Sequence, residues 1–154
     1  MITEEQLDTV IDDLEQQGAD LVQFYQASGQ DLPVLTSFLT DTDTELLTDD
    51  EHDYLLYLGM IMIRLYQSAG QLQDDLDQDT LGENEEQLWQ LVNDLSPRPL
   101  DKIWERTDSN AVVTNFLLES LTIDAESEFL TETGAQLMYV KLASIAGAIL
   151  ASQN

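Results

Sequence analysis

Apolar positions recur at three- and four-residue spacing along almost the whole chain. Leu7, Val10, Ile11, Leu14, Leu21, Val22 and Tyr25 keep one helical face, and Gly18 falls on that same face. Thr3 and Gln6 form a capping box ahead of them. The spacing predicts one continuous helix of about 24 residues after Thr3, in which Gly18 lets a neighbour approach closely; a break at Gly18 is the alternative. Ser28-Gly29-Gln30-Asp31 ends that helix, and Pro33 opens a short one through Leu39. After a polar connector at 41–45, Thr48 and Glu51 form a second capping box, with Asp49 and Asp50 in the first turn.

The run from Tyr54 to Tyr66 is apolar all round, which predicts a central helix covered on every side. An acidic loop is expected over 74–86. Leu88, Leu91, Val92 and Leu95 then mark another stripe, stopped by Pro97-Arg98-Pro99. A short helix is predicted at 100–106, a further stripe runs through Val113, Phe116, Leu117 and Leu121, and a last apolar helix covers 132–152. No segment alternates with the two-residue period of a strand. The expected fold is all-α: a single domain over 1–154, a compact bundle of six or seven helices, with two largely buried helices at about 50–70 and 132–152.

Small residues add one packing expectation. Ala143, Gly147 and Ala151 recur every four residues beside Ser144, Ala148 and Ser152. They leave a groove in the last helix, expected to receive the helix at 54–66 through Gly59. The alternative is a homodimer through 132–152, which the charge of the chain disfavours, so a monomer is expected.

That charge is extreme. The 154 residues hold 31 Asp and Glu against 5 Lys and Arg, a formal charge of −26. Repulsion of phosphate argues against direct nucleic-acid binding and against anionic membrane surfaces. With 26 Leu the chain has material for a core, unlike a disordered acidic tail. No Cys excludes disulfides and thiolate metal sites, and a single His, His52, excludes His-pair sites. The N-terminus has no signal-peptide pattern, and the apolar stretches, about 13–15 residues, fall short of a bilayer span. A soluble, cytoplasmic protein is expected, with no membrane attachment.

Candidate chemistry is sparse. Asp75, Asp77, Asp79, Glu83 and Glu86 occupy positions 1, 3, 5, 9 and 12 of a frame that resembles an EF-hand calcium loop. Thr80 stands where the turn needs Gly, so no specific calcium site is expected there. Arg98, Lys102 and Arg106 recur every four residues with Trp104 between them, which makes a patch for an anion or a partner, or an intramolecular dock on the chain's own acids. Arg64, the lone charge in the run 54–66, could sit in a pocket with Tyr57, Met62 and Tyr66, or pair with a carboxylate, or reach the surface. His52 lies among Asp49, Glu51 and Asp53. No nucleophile elbow, phosphate loop, dinucleotide fingerprint or zinc-helix motif occurs, so neither catalysis nor a cofactor is expected. Three readings remain open. The first is a non-catalytic interaction or adaptor protein with a basic protein partner, of inhibitor, immunity or nucleic-acid-mimic type. The second is a small-ligand binder or enzyme using a pocket around Arg64 and Tyr66. The third is an acidity that reflects salt adaptation alone.

Overall fold

A computed structural model describes residues 2–18, 20–40, 47–72, 74–94, 111–121 and 130–152. These form seven helices: α1 Glu4–Gln17, α2 Leu21–Asp31, α3 Pro33–Thr40, α4 Asp49–Ser68, α5 Gln78–Asp94, α6 Ala111–Ser120 and α7 Glu132–Ser152. No strand occurs among the described residues. The architecture is the all-α bundle that the stripes predict. The segment expected as a short helix at 100–106 lies outside the described residues.

Two helices organise the rest. α4 packs against α1, α2, α3 and α7, and α7 packs against α3, α4, α5 and α6. Leu55, Leu58, Met60, Ile61, Met62, Ile63 and Leu65 of α4 are buried, as are Leu137 to Val140, Leu142 and Ile145 to Ala146 of α7. Each of the outer helices α1, α5 and α6 lays one apolar stripe on this pair, through Leu7, Val10 and Leu14, through Leu81 and Val92, and through Val113 and Leu117.

Four details differ from the sequence expectations. The first helix is two. Gly18 takes a left-handed conformation with φ 66°, its N–H donates to the Leu14 carbonyl, and the side chain of Asp20 then caps α2 by accepting from Gln23 N at 3.2 Å. A helix stop followed two residues later by a start outweighs the continuous stripe. Gly18 accommodates no close approach among the described residues, none of which lies within 4 Å of where its Cβ would be.

Secondly, the acidic loop is mostly helix. Asp77 caps α5, accepting from Asp79 N at 3.4 Å and from Thr80 Oγ1 at 3.0 Å, so Gln78 to Glu86 is its first half.

Thirdly, the small-residue face of α7 receives α5 rather than α4. A Cβ on Gly147 would come 3.0 Å from Asn84 Nδ2, and that amide donates to the Ser144 carbonyl at 3.3 Å. Gly59 faces α2 and α3 instead: a Cβ there would lie 2.7 Å from Tyr25 Oη and 2.8 Å from Leu39 Cδ1. Its absence lets the Tyr25 hydroxyl donate to the Leu56 carbonyl at 2.6 Å.

Fourthly, α7 is long and apolar enough to cross a bilayer by length and composition, because its single cation, Lys141, does not interrupt the helix. Here it is the core helix, with 72% of that stretch buried inside the bundle.

Three helix starts are satisfied by residues brought from elsewhere or shared. The N-cap position before Pro33 is Leu32, which has no capping side chain. Asp75 supplies the carboxylate from 40 residues away, accepting from Val34 N at 2.8 Å and Leu35 N at 3.2 Å. Glu51 closes the capping box of α4, accepting from Thr48 N at 3.1 Å. Its other oxygen accepts from both Thr131 N and Thr131 Oγ1 at 3.0 Å, at the start of α7. Thr131 Oγ1 accepts in turn from Gly134 N at 3.0 Å. A Cβ on Gly134 would collide with the Glu51 carboxylate. One carboxylate, 1% exposed, thus completes the caps of both core helices.

Candidate functional site

The candidate site is the cleft of about 1100 Å³ between α3, α5 and α7. α3 contributes Pro33, Val34, Ser37 and Phe38 to one wall. That wall exists because Asp75 fixes the first turn of α3. α5 forms the opposite wall with Gln78, Asp79, Gly82, Glu83 and Glu86, and Lys141 of α7 lies between them. Asp79, Glu83 and Glu86 stand at i, i+4 and i+7 of α5, one exposed face spanning about 10 Å at 1.5 Å per residue.

The cleft holds four carboxylates and one ammonium. Lys141 Nζ lies 2.8 Å from Glu85 Oε2 and 4.0 Å from the centroid of the Phe38 ring. This is the single ion pair among the described residues. It leaves the carboxylates of Asp79, Glu83 and Glu86 uncompensated by any described cation. Gly82 sits among them, exposed, with no described residue within 4 Å of where a Cβ would be. A surface of this kind can attract a cation, seat its aliphatic part on Phe38 and Val34, and pair with its charge.

A second, smaller cleft of about 390 Å³ lies between α1, α2 and α4. Phe24, Met60 and Arg64 line it with Asp20 and Asp31 at the rim. Arg64 is exposed, and its guanidinium carbon lies 5.1 Å from the Phe24 ring centroid. The pocket expected around Arg64 does not form with Tyr57, Met62 and Tyr66. Met62 and Tyr66 are buried in the core on other faces of α4, and Tyr57 is half-buried outside this cleft. At 3.6 residues per turn Met62 and Tyr66 fall on the side of α4 away from Arg64, whereas Tyr57, two turns earlier, shares its side without lining the cleft. Burial pushes the Tyr66 hydroxyl up to about 12 and raises Tyr25 as well.

The other sequence candidates fall as follows. Arg98, Lys102, Trp104 and Arg106 lie outside the described residues. Of the calcium-frame acids, Asp75 and Asp77 cap α3 and α5, while Asp79, Glu83 and Glu86 ride on α5, so the twelve-residue frame is not a loop around one point. No group of three His, Asp or Glu side chains suited to a metal occurs among the described residues. His52 lies in the first turn of α4, half-buried, with Nε2 lacking a hydrogen-bond partner among the described residues. The sequence analysis names three of the cleft's acids, but for calcium, and does not single out Lys141. The available signal was that Lys141, like Arg64, is a lone cation in an apolar run.

Compared with protein-family models, curated proteins and solved structures, the chain matches none.

Proposed function

We propose that this chain is a non-catalytic interaction protein that binds a basic protein through its acidic surface. The observation that carries the reading is the cleft between α3, α5 and α7, where three carboxylates of one helix face have no described cation beside them. A field of this sign steers a cationic partner into encounter, and the apolar wall of α3 gives it something to bury against. The sparse chemistry of the chain supports a binding role over a catalytic one. Affinity isolation on the immobilised protein at about 0.15 M NaCl, where the Debye length is about 8 Å, should retain a basic protein and release it as salt rises. The triple variant Asp79→Asn/Glu83→Gln/Glu86→Gln should retain less. If nothing basic is retained, the acidity is better read as adaptation to salt.

One observation favours a second reading. Arg64 pairs with no carboxylate among the described residues of a strongly acidic chain, and it lines the 390 Å³ cleft. A small carboxylate-bearing metabolite would suit it. A thermal-shift screen giving a robust hit that Arg64→Ala abolishes, without any protein partner, would reverse the ranking.

A further inference from the structure

Resting on the second reading, a carboxylate-bearing ligand at Arg64, we infer that the cleft between α1, α2 and α4 takes a small zwitterion. This is an amino acid whose carboxylate meets Arg64 and whose ammonium meets Asp31. The cleft is a product of the break at Gly18. α1 and α2 each pack against α4, but the left-handed turn parts them, and the space between encloses about 390 Å³. That volume suits a small ligand, whose sites run from about 300 Å³ upward. Leu14, Leu32 and Met60, all buried, give it an apolar floor.

Opposed charges border this floor without pairing. Arg64 carries the one charge of α4 between Tyr54 and Tyr66. Its guanidinium lies over the Phe24 ring, 5.1 Å from carbon to centroid. A guanidinium held on an aromatic face keeps its N–H edge free, and that edge matches a carboxylate with two parallel bonds. Asp20 and Asp31 line the same cleft, yet neither carboxylate comes within 4.0 Å of the Arg64 nitrogens. Asp20 is engaged in capping α2. Asp31 is the last residue of α2, where the negative end of the helix dipole opposes a carboxylate, and no described cation lies beside it. A molecule with one charge of each sign bridges the two and satisfies both. The field of the whole chain selects the same class. A simple carboxylate approaches a molecule of charge −26 and two acids at the rim, whereas an amino acid is neutral overall and is not repelled.

Ligand-observed NMR titration at about 0.15 M NaCl tests this. The probes are two zwitterions, L-leucine with its charges adjacent and ε-aminocaproate with them at opposite ends. Each is paired with its deaminated counterpart, isocaproate or caproate, and its decarboxylated counterpart, isopentylamine or pentylamine. The proteins are the wild type, Arg64→Gln, Asp31→Asn and a control acid on the exposed side of α4, Asp53→Asn. All three side chains are exposed, so the variants should fold, and Asp31→Asn should keep or raise the melting temperature. At least one zwitterion should bind the wild type and the control alike, about tenfold more tightly than either counterpart, since it alone makes both charge-assisted contacts. Arg64→Gln and Asp31→Asn should each weaken it about tenfold. If the deaminated acids bind as tightly and Asp31→Asn binds like the wild type, the zwitterion is overturned while the carboxylate ligand stands. If Arg64→Gln binds like the wild type, or no probe binds any form, both are overturned.

Discussion

Glu51 is almost wholly buried, and no described cation lies beside it. Its compensation comes from the positive ends of two helices, through donors on Thr48 and Thr131. Removing it strands those donors, so Glu51→Ala should cost roughly 2–4 kcal/mol in urea unfolding. Glu51→Gln should cost less than Ala but still measurably, because its amide nitrogen must face a donor at one end. Gly134→Ala should be destabilising in the wild type, by about 1–3 kcal/mol, since the methyl meets the carboxylate. In the Glu51→Ala background the same methyl should be neutral or stabilising, as alanine favours helix. An additive pair in that double-mutant cycle would show that the two sites do not share the contact.

Among the exposed glycines, Gly82 and Gly18 make opposite predictions. Gly82→Ala should raise stability by about 0.5–1 kcal/mol, because the position is helical and unobstructed. Gly18→Ala should lower it by a similar or larger amount, because φ 66° is a left-handed conformation. Equilibrium denaturation of the two single variants gives both signs. Gly147→Leu should cost about 1–3 kcal/mol by pushing Asn84 and α5 off α7.

The stripes and capping boxes made most of the helices readable from sequence, since periodicity reports which face is buried. The break at Gly18 was not readable that way: the stripe runs on across it, and a change of φ leaves no mark in a hydrophobic pattern. Caps supplied in trans were equally hidden, because Asp75 and Glu51 reach helix starts 40 and 80 residues away. The pairing of α5 with α7 depends on which of several small-residue faces meets which helix, and spacing alone does not choose. In the candidate cleft, the acids of α5 were visible as acids, but their common wall appeared only once residues 78–86 were helix.

The whole molecule carries a net charge of −26, and the described residues hold one ion pair. Self-repulsion opposes the compact state and salt screens it. The melting temperature should rise from low salt to about 1 M NaCl; a flat or falling profile would mean that the acids are locally compensated. At the alkaline end, the buried tyrosines set the limit. Tyr66 ionises near 12 in the folded chain and about 10 in the unfolded one, so the unfolded state loses protons first. Stability should be intact below about pH 10 and fall as pH rises from about 10 to 12. Ultraviolet titration should show Tyr25 and Tyr66 ionising together with loss of helix rather than before it.

The shared cap at Glu51 also bears on synthesis. The carboxylate that must be buried for α4 to pack waits for donors 80 residues further along the chain. At about 5–20 residues per second, the ribosome needs roughly 4–16 s to deliver them. Throughout that interval the Leu- and Met-rich faces of α4 have no α7 to cover them. A nascent chain stalled before residue 131 should therefore be a good substrate for ribosome-associated chaperones and for proteases. Delivery of the whole of α7, through Ser152, should end both susceptibilities.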